Sequence, residues 1–123
     1  MRYFFLLVLF LHVVMEGGLG LVIAVSPRTL TPDAATAELA FVLNYGFAAI
    51  AMATVVAWYW PHRSTPLATT ITLGILATFH TAEALAGVQV ARFGGGPQII
   101  YSHGAFAIAF WVLWSQRGKL TSR

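Results

Sequence analysis

Four long apolar runs, residues 3–25, 37–60, 67–91 and 98–116, limit what this chain can fold into more than any other feature. Each is about as long as the ~20-residue helix that crosses a bilayer. Backbone groups in hydrocarbon have no water to bond, so runs of this length are expected to close their hydrogen bonds internally as helices. The expected fold is all-α: a four-transmembrane-helix bundle forming one integral membrane domain over residues 1–123. Composition points the same way. The chain is 59% hydrophobic and has seven Lys and Arg and four Asp and Glu, where a soluble domain of this length carries about 30 charged residues. So few charges cannot cover a folded surface facing water, and a chain this rich in aromatic and aliphatic residues is not disordered. The residues between the runs suffice only for tails and short connections. There is no cysteine, which excludes disulfides, thiolate metal sites and cysteine nucleophiles. The net charge of +3 comes from scattered residues without a Lys/Arg run, which argues against nucleic acid as a partner. The first partner is the lipid bilayer.

The punctuation agrees with the hydropathy. Pro27, Pro32, Pro61, Pro66 and Pro97 all fall at or just outside the ends of the runs, where a residue with fixed φ and no N–H can start or stop a helix. Thr31-Pro32-Asp33 and Thr65-Pro66 each read as an N-cap followed by proline at the first helical position. Arg2, Arg63, Arg117, Lys119 and Arg123 gather on one side and Arg28 and Arg92 on the other. That bias places both termini in the cytoplasm and the chain in a plasma membrane. Tyr3, Trp58, Tyr59, Trp60, Trp111 and Trp114 fall toward the same interface, where amphipathic rings prefer to sit. Met1-Arg2, an apolar run and Ala24-Val25-Ser26 also have the outline of a signal peptide. Against that reading, the run is longer than the usual h-region, carries His12 and Glu16, and is followed directly by Pro27.

Ionisable groups within spanning helices are costly and face the bundle interior, so each is a functional candidate. Counted at about 1.5 Å per residue from the outer end of each helix, Asn44 lies about 10 Å deep, Glu83 about 12 Å and Glu16 about 13 Å. His80 lies about 16 Å deep, His12 about 20 Å and His103 about 7 Å. Every helix therefore adds to one polar layer, mostly in the outer half of the membrane. Residues three or four apart share a helix face. His12, Glu16 and Gly20 align on the first helix; Ala37, Ala40, Asn44, Ala48 and Ala51 on the second; Ala77, His80, Glu83, Ala84, Gly87 and Ala91 on the third; His103 and Ala107 on the fourth. Small residues on a polar stripe allow close helix approach around a small polar pocket.

Three readings of this layer stand side by side. The groups can act as interhelical glue, bonding only one another; His12, deepest of all, fits that reading best. His80-x-x-Glu83 with Glu16 and His103 can offer two imidazoles and two carboxylates to a metal, although di-iron bundles carry the opposite order, Glu-x-x-His, and carry it twice. Axial ligation of haem by His80 and His103 is disfavoured by their depth difference of about 9 Å. The third reading is a pocket for a small hydrophobic molecule, quinone-like or lipid-like. Burial favours the uncharged form of carboxyl and imidazole groups alike, which suits proton transfer. On that reading Glu83, His80 and Glu16 are the catalytic candidates, and Asn44, His103 and Tyr101 line the ligand. No metal is assigned and the identity of any cofactor stays open. The glycine run Gly94-Gly95-Gly96 reads as a turn, and His62 as a solvated residue of the preceding connection.

Gly17-Gly18-Leu19-Gly20-Leu21, followed by Ser26-Pro27-Arg28 at the end of the first helix, together with the four-span length, resembles the DoxX-like group of small bacterial membrane proteins. The resemblance implies a four-helix membrane fold, and some members of that group are linked to quinone-coupled oxidation. It transfers no catalytic residue. The function expected is binding or transformation of a small hydrophobic molecule, as a self-contained protein or as a membrane enzyme subunit. The alternative is a non-catalytic accessory subunit, partnered by other membrane subunits or by a second copy of itself.

Overall fold

The structure is a computed structural model that describes residues 1–121; Ser122 and Arg123, the latter among the basic residues used for orientation, lie outside the described residues. It is all-helical, with no strand among the described residues. Helix α1 (Arg2–His12) passes through a π-helical segment (Val13–Gly18) into α2 (Leu19–Val25), and a 3₁₀ turn (Pro27–Thr29) follows. Then come α3 (Thr36–Tyr59), a 3₁₀ turn (Trp60–His62), α4 (Pro66–Arg92), α5 (Gln98–Ser115) and the single turn α6 (Gly118–Thr121). Three helical stretches are long and apolar enough to cross a membrane: Arg2–Val25, Thr36–His62 and Pro66–Arg92. Helix α5 occupies the fourth expected place and at 18 residues is the shortest of the long helices.

The helix ends follow local chemistry, with one departure. Pro66 opens α4 directly after Thr65, as expected from the sequence. The first residues of α3 do not use Thr31-Pro32-Asp33 as their cap. Thr31 instead closes a turn in which its carbonyl accepts the Ala34 N–H at 3.3 Å. The helix starts five residues further on, where the Glu38 carboxylate accepts the Ala35 backbone N–H at 2.8 Å, satisfying one of the donors a helix start leaves open. At the other end of the chain's longest helix, Gly94 adopts φ +89°, a left-handed conformation that costs glycine little. The turn is closed by Gly94 and Gly95 N–H groups donating to the Ala91 and Val90 carbonyls at 3.1 and 3.0 Å.

The chain divides into two compact units. The first, Leu9–Trp60, contains the end of α1, the π-helical segment, α2 and α3. Its core is a close crossing of α2 and α3: a Cβ on Gly20 would stand 2.6 Å from the Gly46 carbonyl oxygen, and one on Gly46 would stand 2.5 Å from Ile23 Cγ2. A larger side chain is excluded at Gly20 by the Gly46 backbone and at Gly46 by the Ile23 side chain, which is how small residues allow helices to approach in a membrane. His12, Glu16, Gly20 and Ile23 are buried along one face, as the spacing predicts. Helix α3 turns a different face inward from the one expected. Gly46, Ala49 and Ala53 are buried, while Ala37, Ala40, Asn44, Ala48 and Ala51 are exposed. Small residues lie on both sides of this helix, and the deciding feature is the missing Cβ of Gly46, which alone fits against Ile23.

The second unit comprises Met1–Val8 and Pro61–Arg123. Its centre is the antiparallel pair α4 and α5, packed through Leu73, Leu76, Ala77, Ala107, Phe110 and Leu113, all buried. Gly87 meets Ile99 and Ile100, and Gly74 meets Trp114, which sets the register of the pair. A side-chain link crosses it: Trp111 Nε1–H donates to Thr81 Oγ1 at 3.1 Å, and Thr81 O–H donates to the Ala77 carbonyl at 2.7 Å.

Candidate functional site

Helix α4 buries Ala77, His80 and Gly87 on one face, with Glu83, Ala84 and Ala91 half-buried beside them. This is the stripe expected from the sequence. Helix α5 buries His103 and Ala107 on the face that meets it. His80 is fully buried and His103 nearly so, and their Nδ1 atoms lie 2.9 Å apart. That separation is a hydrogen bond, in which one Nδ1 carries the proton and the other accepts it.

The depth count from the sequence keeps these two histidines about 9 Å apart, and the register of the pair explains the difference. Gly87, about 6 Å deep on that count, is level with Ile99 and Ile100, about 2 Å deep, so α5 starts roughly 4 Å further in than α4 ends. The side chains span the remainder. Their contact was not visible in the sequence, because nothing local in Phe93 through Pro97 states how far the returning helix is offset.

Phenylalanines wall the pair. The His80 ring stacks on Phe106 with centroids 4.8 Å apart and planes at 16°, and on Phe110 at 5.5 Å and 16°. Phe79 stands edge-on to His80 at 5.1 Å and to His103 at 6.0 Å. Sequence reading passed over Phe106 and Phe110, although their spacing of three and seven residues from His103 places all three on one face. Such a wall excludes water and strengthens the bond it encloses.

Two neutral imidazoles joined through Nδ1 are necessarily in opposite tautomers. The ring that donates the central bond has no hydrogen on Nε2, and the ring that accepts it carries its hydrogen on Nε2. A proton taken up at the first Nε2 and one released at the second reverse the central bond and restore two neutral rings. Such a pair can pass a proton in two steps without movement of heavy atoms.

Glu83 lies one turn beyond His80 on α4, half-buried, and makes no hydrogen bond or ion pair among the described residues. Tyr101, two residues before His103, is 71% exposed. In the other unit, Glu16 is fully buried within the π-helical segment, and Asn44 is exposed on α3. His12 is also fully buried, with Nε2–H donating to the Met52 carbonyl of α3 at 3.1 Å. Its place as a structural tie between helices is the one its depth suggested. Of the six residues singled out from the sequence, then, α4 and α5 bring His80 and His103 into contact and hold Glu83 one turn away.

The fold and this cluster define the class: an all-helical protein with three helices long and apolar enough to cross a membrane and a pair of histidines inside an apolar helix contact. No family model, curated protein or solved structure matches the chain.

Proposed function

We propose that this is an integral membrane protein whose α4–α5 unit binds a small hydrophobic molecule, quinone-like or lipid-like, and exchanges protons with it. The observation that supports this reading is the His80–His103 pair, two imidazoles bonded to each other at 2.9 Å behind a wall of phenylalanines. Apolar walls suit an apolar ligand, while the relay supplies or removes a proton where water does not reach. Glu83 is the acid or base that meets the ligand, because its carboxyl group has no partner of its own among the described residues. His80 and His103 pass the proton on. Glu16, Asn44 and Tyr101 are not needed for this chemistry.

The same proposal includes a fourth crossing by α5 and cytoplasmic ends on a bacterial inner membrane. Arg2, Arg63, Arg117 and Lys119 against Arg28 and Arg92 support that orientation. A second reading, an accessory subunit whose polar residues are glue, draws on the bond between the two imidazoles, which ties α4 to α5 without any ligand.

Glu83→Gln separates the two readings, since the amide keeps shape and hydrogen-bonding capacity but exchanges no proton at neutral pH. Wild type and variant are extracted in mild detergent, and the small molecules that copurify are measured by mass spectrometry beside the thermal transition. The expected result is an unchanged transition and loss of the retained molecule. Equal retention in both removes Glu83 from the site and favours the accessory subunit.

A further inference from the structure

Helix α3 buries Gly46, Ala49 and Ala53, and the opposite side carries a second pattern that no contact within Leu9–Trp60 uses. Ala40, Asn44, Phe47, Ala51, Thr54 and Trp58 are all exposed, and their spacing alternates four, three, four, three and four. That is the a/d repeat of a coiled-coil seam, which winds one helix around another with a left-handed twist. A helix that only faced lipid would need no such repeat and no polar residue in it.

Asn44 is that polar residue. It lies eight residues into α3, about 12 Å from its start, within the stretch long and apolar enough to cross a membrane. Its side chain makes no hydrogen bond among the described residues. A primary amide left unbonded in hydrocarbon is strongly disfavoured, so a partner is required. The amide is both donor and acceptor, and it is complementary to a copy of itself. Two copies inserted in one bilayer with the same topology present α3 in parallel and at the same depth. A two-fold axis along the membrane normal then sets Asn44 against Asn44, as an a-position asparagine does in parallel dimers.

We infer that the outward seam of α3 is a homodimer interface, with the Asn44 side chains bonded to each other across it. The exposed Ala40 and Ala51 flank the amides and let the backbones approach. This inference does not depend on the chemistry proposed for His80 and His103.

The chain has no cysteine, so single cysteines report on this seam without background. Ala40→Cys, Ala51→Cys and Thr54→Cys are placed on it, and Phe41→Cys and Ala57→Cys at exposed positions about 100° to either side of it, each in the full chain in native membranes. Mild oxidation should convert the three seam variants to an adduct of twice the 13.3 kDa chain mass and leave the other two as monomers. Asn44→Leu, assayed by the monomer–dimer distribution over a detergent dilution series, should weaken the dimer about 3- to 30-fold. Asn44→Gln should keep most of the dimer. Monomer throughout, equal oxidation at all five positions, or an adduct of some other mass that reveals a different partner chain would each overturn the inference. Because the readout is mass, it is independent of whether a small molecule is retained.

Discussion

His12 and His80 are both fully buried histidines on apolar helices, yet the units that hold them have used them differently. His12 donates from Nε2 to the Met52 carbonyl, and a carbonyl can only accept, so that nitrogen keeps its hydrogen while the bond lasts. His80 bonds to another imidazole, and either ring can give the hydrogen. The first arrangement fixes a tautomer and ties α1 to α3. The second leaves two equivalent arrangements of one hydrogen and can pass a proton. A buried histidine is therefore read by its partner's chemistry and not by its depth.

The contrast extends to packing, and there it can be broken most severely. The Leu9–Trp60 unit depends on backbone approach, so Gly46→Val should drive a side chain into Ile23 and cost about 3 kcal/mol or more. The measurement is the thermal transition in detergent. Gly74→Ala is the matching change in the other unit; its added Cβ would meet Trp114 Nε1 at 3.6 Å, an ordinary contact, and the transition should not move.

A smaller effect sharpens the comparison of the histidines themselves. His80→Leu and His103→Leu each leave a buried imidazole without its bond and should cost about 1 to 3 kcal/mol. Combined in a double-mutant cycle they should show coupling of about 1 kcal/mol. Additive costs would mean that the central bond contributes nothing.

The smallest effect is expected at His12→Gln, which keeps a donor for the Met52 carbonyl and should cost less than about 1 kcal/mol. Retention of any copurifying small molecule should be unchanged. Loss of that molecule in the His12→Gln protein would erase the distinction drawn between the two histidines.

Much of the fold was legible because hydropathy and proline act locally. The four expected runs coincide with helical stretches to within a few residues, and Pro66 and Pro97 mark the ends of connections as their fixed φ requires. What was not legible depends on distance along the chain. The inward face of α3 was misread because alanines lie on both of its sides, and the choice between them is made by Ile23, a residue of another helix. The His80–His103 contact was missed for the same kind of reason: it follows from the offset between α4 and α5, which Gly87 and Ile99 set by packing. Glu83 and His80 could be placed on one face from spacing alone, since they share a helix.

The π-helical segment Val13–Gly18 gives the first apolar helical stretch something the other helices lack among the described residues. Each of its wider loops encloses one residue more than an α-helical loop. That surplus is slack. Elsewhere in a spanning helix, losing a single residue swings everything beyond it by about 100° and presents the wrong side to its neighbour. Here the loss can be absorbed by tightening the widened turn, so His12 and Gly20 keep facing α3. Of the long helical stretches, this one can change length without changing what it faces.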